Sequence, residues 1–148
     1  MKLRLLLLGL LMLAGMNVVA WHPRPRRPIM RVPWQAVAAG ANGLIFYSYM
    51  DIMKRGRPED VQRKQWLDTC AVVLEVKEKE AVLLSEAGPD VEDVPKGVVC
   101  RTWKTADGKV HLLACNTMRS PVKGSVRIGG IIHSIDLPPI GVKMQELQ

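Results

Sequence analysis

The stretch WQAVAAGANGLIFYSYMD, residues 34–51, decides the fold predicted for this chain. Trp34–Ala38 has the apolar spacing of a helix, and Gly40 can end it because a residue without Cβ turns left-handed at little cost. Asn42-Gly43 is a second break in the pattern. Leu44–Tyr49 then lacks polar alternation, which is typical of a strand covered on both faces. The stretch therefore predicts one αβ unit of the parallel type, and no further strand of this type is predicted elsewhere in the chain.

A long helix is predicted after this unit. It begins at Arg57-Pro58-Glu59-Asp60, because proline suits the first turn and carboxylates complement the positive end of the helix dipole. It continues to about Lys79. Apolar residues at 3.6-residue spacing predict the face that packs on a sheet: Val61, Trp66, Leu67, Cys70, Val73 and Leu74.

Short β segments replace helices in the last third of the chain, after a loop over about residues 87–97. The predicted strands are Val98–Thr105, Val110–Asn116, Ser120–Ile128, Ile131–Leu137 and Gly141–Leu147. Short strands separated by frequent turns indicate an antiparallel sheet, as in a sandwich. The predicted fold class is thus α+β, with a helix–strand–helix part at 34–86 and an antiparallel β domain at 95–148.

The turn Asp107-Gly108 yields a candidate disulfide. A two-residue hairpin loop pairs Ala106 with Lys109 and places Cys100 directly opposite Cys115. A hydrogen-bonded pair in an antiparallel ladder has Cα atoms about 5.5 Å apart, which a disulfide can span. The alternative is that the three cysteines of the chain are small buried hydrophobes.

The N-terminus resembles a targeting segment. Residues 1–20 combine a charged start, the apolar run Leu5–Met16 and a small-residue cleavage site before Trp21. The alternative is an uncleaved anchor at the short limit for spanning a bilayer. Residues 21–33 are a Pro/Arg-rich linker, whose arginines would favour the cytoplasmic side by the positive-inside rule. The chain is therefore expected to be secreted or periplasmic, or else attached to the membrane through residues 1–20.

Charge and spacing exclude several classes of function. Six of the 21 basic residues flank the N-terminal apolar run, and the remaining 15 nearly balance the 14 acidic residues. A basic groove for nucleic acid is therefore not predicted. The cysteines and histidines lack the spacing of a metal site, and no glycine loop for a phosphate or a nucleotide cofactor is present.

The order of these features resembles a known enzyme family. QAVAAGANGLIFYSY is similar to the last αβ step of the (β/α)8 barrel of β-galactosidase-like bacterial glycoside hydrolases. QRKQWLDTCAVVLEV resembles the final barrel helix, and VHLLACNT with LPPIGVKMQEL resembles strands of the small C-terminal β-sandwich of those enzymes. The resemblance covers about residues 32–148. It implies that this TIM-barrel fragment is the C-terminal part of such an enzyme.

The resemblance also implies a sugar site. Tyr47 and Tyr49, at the end of the eighth barrel strand, would stack on a sugar, and Ser48 or Asp51 would contact hydroxyls. The alternative is that they are strand-end residues with no ligand. Glycosidases need two carboxylates, and in these barrels they lie on earlier strands, so the chain alone is expected to be non-catalytic and to lack an upstream barrel half. A small structural or carbohydrate-binding module is the alternative.

Overall fold

The computed structural model describes residues 18–21, 32–46 and 56–147. Over these ranges the protein is a mixed α+β chain with few helices and two antiparallel sheets. It divides into two compact units, which we call the N-terminal unit, up to Val72, and the sandwich unit, from Val73. The predicted sugar-contacting residues, Tyr47, Ser48, Tyr49 and Asp51, lie outside the described residues.

The N-terminal unit contains a parallel pair of strands. β1 (Val18–Trp21) pairs in parallel with β2 (Gly43–Phe46). Parallel strands need a crossover connection, and here the connection contains helix α1 (Val32–Ala38). The expectation of a single αβ unit without a parallel partner is therefore wrong. Residues 18–20, predicted as the end of a targeting segment, and Trp21, predicted as the start of the linker, form the partner strand.

A long helix follows, as the sequence predicts. α2 (Glu59–Glu78) is succeeded by the short α3 (Glu80–Leu83), and the boundary between the two units falls within α2. The start of α2 is fixed by the Gln62 side chain, whose Nε2 donates to the Arg57 carbonyl at 2.8 Å. Within the described ranges, every helix is too short or too polar to cross a bilayer.

The buried face of α2 differs from the predicted apolar stripe. Gln65, Thr69 and Val72 are buried, one helical turn apart. Their polar groups are satisfied: Arg57 Nη1 donates to Gln65 Oε1 at 3.0 Å, and Thr69 Oγ1 donates to the Gln65 carbonyl at 2.9 Å. The predicted packing face is wrong, since most of its members are exposed: Val61, Trp66, Leu67, Val73 and Leu74.

Adjacent valines on α2 provide a test of this face. We expect Val72→Ala to lower the free energy of unfolding by about 2 kcal/mol, from lost apolar burial plus the cavity left behind. Val73→Ala is the matched control, because Val73 is 47% exposed while Val72 is fully buried. There alanine should be neutral or slightly stabilising, since it is the better helix former. Denaturant titration followed by circular dichroism measures both, and equal losses would contradict the described face.

The sandwich unit is built from two sheets. Their strands are β3 (Glu86–Ala87), β4 (Val91–Glu92), β5 (Val98–Lys104), β6 (Val110–Asn116), β7 (Val122–Ile128), β8 (Ile131–Leu137) and β9 (Val142–Leu147). The four-stranded sheet has the order β3-β5-β6-β9, the three-stranded sheet has the order β4-β7-β8, and all pairs are antiparallel. All five predicted strands are confirmed; in addition, β4 lies in the predicted loop and β3 lies where the predicted helical part meets that loop.

The core of this unit lies between the two sheets. Val98, Leu112 and Ala114 of the larger sheet form one buried cluster with residues of the smaller sheet, namely Val126, Ile128, Ile135 and Leu137. Buried residues alternate with exposed ones over the last three residues of β7 and of β8, as one covered face requires, whereas β6 is buried at all positions from Leu112 to Asn116. The sandwich-like architecture predicted from the turn spacing is therefore confirmed. Ile131 and Ile132, at the β7–β8 turn, are left exposed.

Candidate functional site

The carboxyl edge of the parallel pair is the candidate site. β1 ends at Trp21 and β2 ends at Phe46, and these two residues are register partners. Carboxyl ends of parallel strands meet at one edge of a sheet, where α/β proteins place their ligands. The next residues along the chain after Phe46 are Tyr47–Asp51, which lie outside the described residues. The prediction that they contact sugar therefore stays a prediction.

The element before this edge is well packed. Trp34, Val37 and Ala38 of α1 are buried. Gly40 closes the helix with a positive φ of 102°, and its N–H donates to the Val37 carbonyl at 3.0 Å. A residue with a Cβ would be strained at this φ. β2 and its carboxyl edge are thus set by a buried helix and a specific turn rather than by a free loop.

Several of the described carboxylates make ion pairs on the surface: Lys64–Asp68 at 3.1 Å, Lys109–Glu146 at 3.2 Å, Lys123–Asp136 at 2.8 Å and Arg127–Asp93 at 3.0 Å. Glu59 and Asp60 lie in the first turn of α2, as predicted for helix-start charges. No group of His, Cys, Asp or Glu able to hold a metal ion occurs among the described residues.

Hydrogen bonds and ion pairs on the surface shift the pKa values of Asp107, Lys109 and Lys123 toward the charged form. The hydroxyl of Thr105 donates to Asp107 and, together with Lys109, lowers the pKa of that exposed carboxyl. The carboxylate of Glu146 raises the pKa of Lys109, and that of Asp136 raises the pKa of Lys123. A general acid needs a carboxyl with a raised pKa. The shift at Asp107 is in the opposite direction, so this residue is unsuited to that role.

The candidate disulfide is contradicted by the strand register. Cys100 pairs with Ala114, and Cys115 pairs with Val99. Neighbouring residues on a strand point to opposite faces, so the two thiols project from opposite faces of the sheet. Both cysteines are free thiols. The alternative interpretation, in which these cysteines are small buried hydrophobes, agrees with their burial: Cys115 is fully buried and Cys100 is half-buried.

Both thiols are held in the neutral form. Burial raises the pKa of Cys100 to about 11, and burial with the nearby Cys100 raises that of Cys115 to about 12. The thiolate is the reactive species, so the folded chain should react slowly with iodoacetamide at pH 8 at both positions. The unfolded thiol ionises near its usual pKa of 9.0. Because the folded pKa is higher, this contribution to stability is present below pH 9 and is lost as pH rises toward 12.

Intact mass after alkylation in denaturant gives the direct measurement. We expect three carbamidomethyl groups per chain without reductant, one for each of Cys70, Cys100 and Cys115. In native buffer, the rates at Cys100 and Cys115 should rise with pH toward their raised pKa values. A single modification in denaturant before reduction, increasing to three after reduction, would show a disulfide and contradict the described register.

Asn116 is a fully buried polar residue at the end of β6. Its Nδ2 donates to the carbonyls of Ser120 at 2.7 Å and Pro138 at 2.9 Å, and its Oδ1 accepts from the Met118 N–H at 2.8 Å. These bonds tie the end of β6 to the entry of β7 and to the β8–β9 turn. The VHLLACNT segment thus contains a structural clamp, which we call the Asn116 clamp.

Sequence reasoning missed two of these features. The Asn116 clamp has one available signal, an amide residue that ends an apolar strand just before a turn. β1 was missed because Val18–Ala20 also fits a cleavage site for a leader. The four residues Val18–Trp21 are too short a run for periodicity to distinguish a strand from the end of a leader.

Comparison with known proteins finds no family model, no curated protein and no solved structure that matches this chain. The fold class is the property that the structure defines: over the described residues this is a mixed α+β protein with a short parallel strand pair and two antiparallel sheets. A functional assignment depends on the sequence resemblance and on the geometry of the carboxyl edge.

Proposed function

We propose that this chain is the C-terminal part of a β-galactosidase-like (β/α)8-barrel glycoside hydrolase that acts on carbohydrate. The observation that carries the proposal is the order of elements: a parallel strand pair joined through α1, then the long helix α2, then a sandwich-like unit. This is the order expected at the end of such an enzyme. In this interpretation β1 and β2 correspond to the last two barrel strands.

Incomplete burial in the N-terminal unit supports the same proposal. Parallel sheets are normally covered on both faces and contain several strands, whereas within the described ranges β1 and β2 form a sheet of two. The part of α2 that belongs to this unit also exposes large apolar side chains, including Trp66 and Leu67. Exposed apolar residues at this density mark surfaces that pack against further protein. The missing cover would be the upstream βα units of the barrel.

Catalysis by the chain alone is not part of this proposal. Glycoside hydrolysis needs an acid and a second carboxylate on either side of the scissile bond. The carboxylates described above lie in surface ion pairs or in the first turn of α2. We propose that this chain contributes sugar contacts instead, with Tyr47 and Tyr49 stacking on the ring and Ser48 and Asp51 bonding to hydroxyls.

Ring stacking at the two tyrosines can be separated from hydroxyl bonding. We expect the double variant Tyr47→Ala, Tyr49→Ala to weaken binding of lactose about tenfold, because each aromatic contact contributes about 0.5–1.5 kcal/mol. The matched double variant with phenylalanine keeps both ring faces and should stay within about threefold of the unaltered chain. Calorimetric titration measures all three. Equal losses in the two variants would exclude stacking as the binding mode.

Two further observations test the proposal as a whole. The purified chain should not hydrolyse aryl β-glycosides, since the resemblance implies that both catalytic carboxylates lie on earlier barrel strands. The genomic DNA upstream of Met1 should encode further βα units with two catalytic carboxylates, in frame or after a frameshift. Turnover by the chain alone, or an unrelated gene directly upstream, would count against the proposal.

The alternative is a stand-alone structural or carbohydrate-binding module. The closed cluster between the two sheets favours it, because the sandwich unit buries its own core. A monomeric chain with one cooperative thermal transition, retained on insoluble polysaccharide, would support a binding module. An aggregated or molten product would favour the fragment.

The location of the protein follows from its N-terminal segment and is also a proposal. Cleavage before Trp21 would give a secreted or periplasmic protein. Retention would keep the chain attached through residues 1–20. The pairing of β1 with β2 supports retention, because residues 18–20 belong to that strand.

A further inference from the structure

β1 overlaps the end of the segment that resembles a leader. Its register pairs Val18 with Gly43, Val19 with Leu44, Ala20 with Ile45 and Trp21 with Phe46. The cleavage site suggested by the sequence lies between Ala20 and Trp21. A cut there would remove three of the four residues of β1.

Loss of β1 would leave β2 without its strand partner. In the described part of the chain, β2 pairs with β1 alone. Unpaired backbone N–H and C=O groups cost free energy wherever they are shielded from water. Leu44 of β2 is half-buried, and the preceding helix buries Trp34 and Val37. Removal of β1 would therefore disrupt an otherwise ordered parallel pair.

The residues after this site provide a second, independent argument. Four arginines, Arg24, Arg26, Arg27 and Arg31, follow the apolar run, against Lys2 and Arg4 before it. Positively charged residues near an apolar segment favour the cytoplasmic side. The flank that would have to cross the membrane is thus the more basic one, which opposes the translocation that precedes cleavage.

We propose that the chain is not cut before Trp21 and that residues 18–20 remain in the folded protein as strand β1. The last residues of the segment that resembles a leader then form a strand of the N-terminal unit. This inference does not rest on the proposed sugar site, and it selects retention over secretion as the fate of the N-terminal segment.

Intact mass of the full chain tests the proposal. The chain is expressed in a bacterium with a general secretory pathway, and its mass is measured in whole cells and in the periplasmic extract. We expect most molecules to keep residues 1–20 and to be absent from the periplasmic extract. A chain that mainly begins at Trp21 would overturn the proposal, even if it still bound sugar.

A charge variant tests the reason for retention. Replacing Arg24, Arg26, Arg27 and Arg31 with serine removes the basic flank. The matched control removes the same number of positive charges at exposed positions, Arg63, Lys79, Lys96 and Arg119. We expect the control to stay uncut. Cutting in the flank variant would show that the signal peptidase can recognise the bond between Ala20 and Trp21 and that the four arginines prevent cleavage in the unaltered chain. Cutting in the matched control would overturn the proposal.

Discussion

Replacement of Asn116 by alanine should lower the free energy of unfolding of the sandwich unit by about 3 kcal/mol, because several buried hydrogen bonds lose one partner. The variant removes the two donors to Ser120 and Pro138 and the acceptor for Met118. A group left unpaired after burial costs more than the net value of the bond it made. Denaturant titration monitored by tryptophan fluorescence reports on this unit when Trp21, Trp34 and Trp66 are replaced by phenylalanine, because the remaining Trp103 is a buried residue of β5.

Thr117→Ala is the control for this prediction. Thr117 follows Asn116 directly, but it is exposed, and its hydroxyl makes one bond, to the Gly97 carbonyl at 2.9 Å. We expect a loss of about 1 kcal/mol or less at this position. If the alanine variants at 116 and 117 lost the same stability, the Asn116 clamp would not exist as described.

Leu112→Ala should have an effect of similar size by a different mechanism. Leu112 is fully buried in the cluster between the two sheets. Truncation of a buried leucine removes transfer free energy and leaves a cavity, which together cost about 3 kcal/mol. The same titration measures it, and the midpoint should fall without a change in slope if the variant keeps its compact native state.

Ile132→Ala provides the matched measurement on a strand surface. Ile132 is 68% exposed on β8, so its truncation removes little buried area. The loss should stay below about 1 kcal/mol, the span of strand propensities. If Ile132→Ala lost as much stability as Leu112→Ala, the face of the smaller sheet described as exposed would have to be the one that packs in the core.

The strands of the sandwich unit could be predicted from sequence because turn residues bound each of them. Asp107-Gly108, Gly129-Gly130 and Pro138-Pro139 separate apolar runs of strand length. Turns rich in glycine, proline and aspartate allow only a few backbone conformations. Burial of one face then selects the alternation within each strand, and all five predicted strands occur close to their predicted bounds.

The register of the β5–β6 hairpin was not predictable in the same way. Asp-Gly suits a two-residue loop, but a three-residue loop with glycine at the left-handed position is also common. The chain adopts the longer one: Thr105 N–H donates to the Lys109 carbonyl at 2.9 Å, and Gly108 has a φ of 84°. Asp107 accepts from the Thr105 hydroxyl inside this loop. The one-residue shift moved Cys100 and Cys115 to opposite faces.

The face of α2 could not be predicted from hydrophobicity alone. Apolar spacing marks residues able to pack, but burial depends on which neighbours are present. Gln65 and Thr69 occupy the buried face because Arg57 and the helix backbone satisfy their polar groups. The candidate site was predictable only as far as β2 and its carboxyl edge. The aromatic residues beyond Phe46 depend on sequence resemblance.

The position of β9 has a kinetic consequence. β9 pairs with β6, its only neighbour in the described sheet, although the β7–β8 hairpin separates the two strands along the chain. Hairpins close over short loops and form in about 1–10 μs. The β6–β9 pairing requires a longer loop closure, which is slower. We therefore expect the two local hairpins to form early, with docking of β9 as the late step that sets the folding rate of this unit.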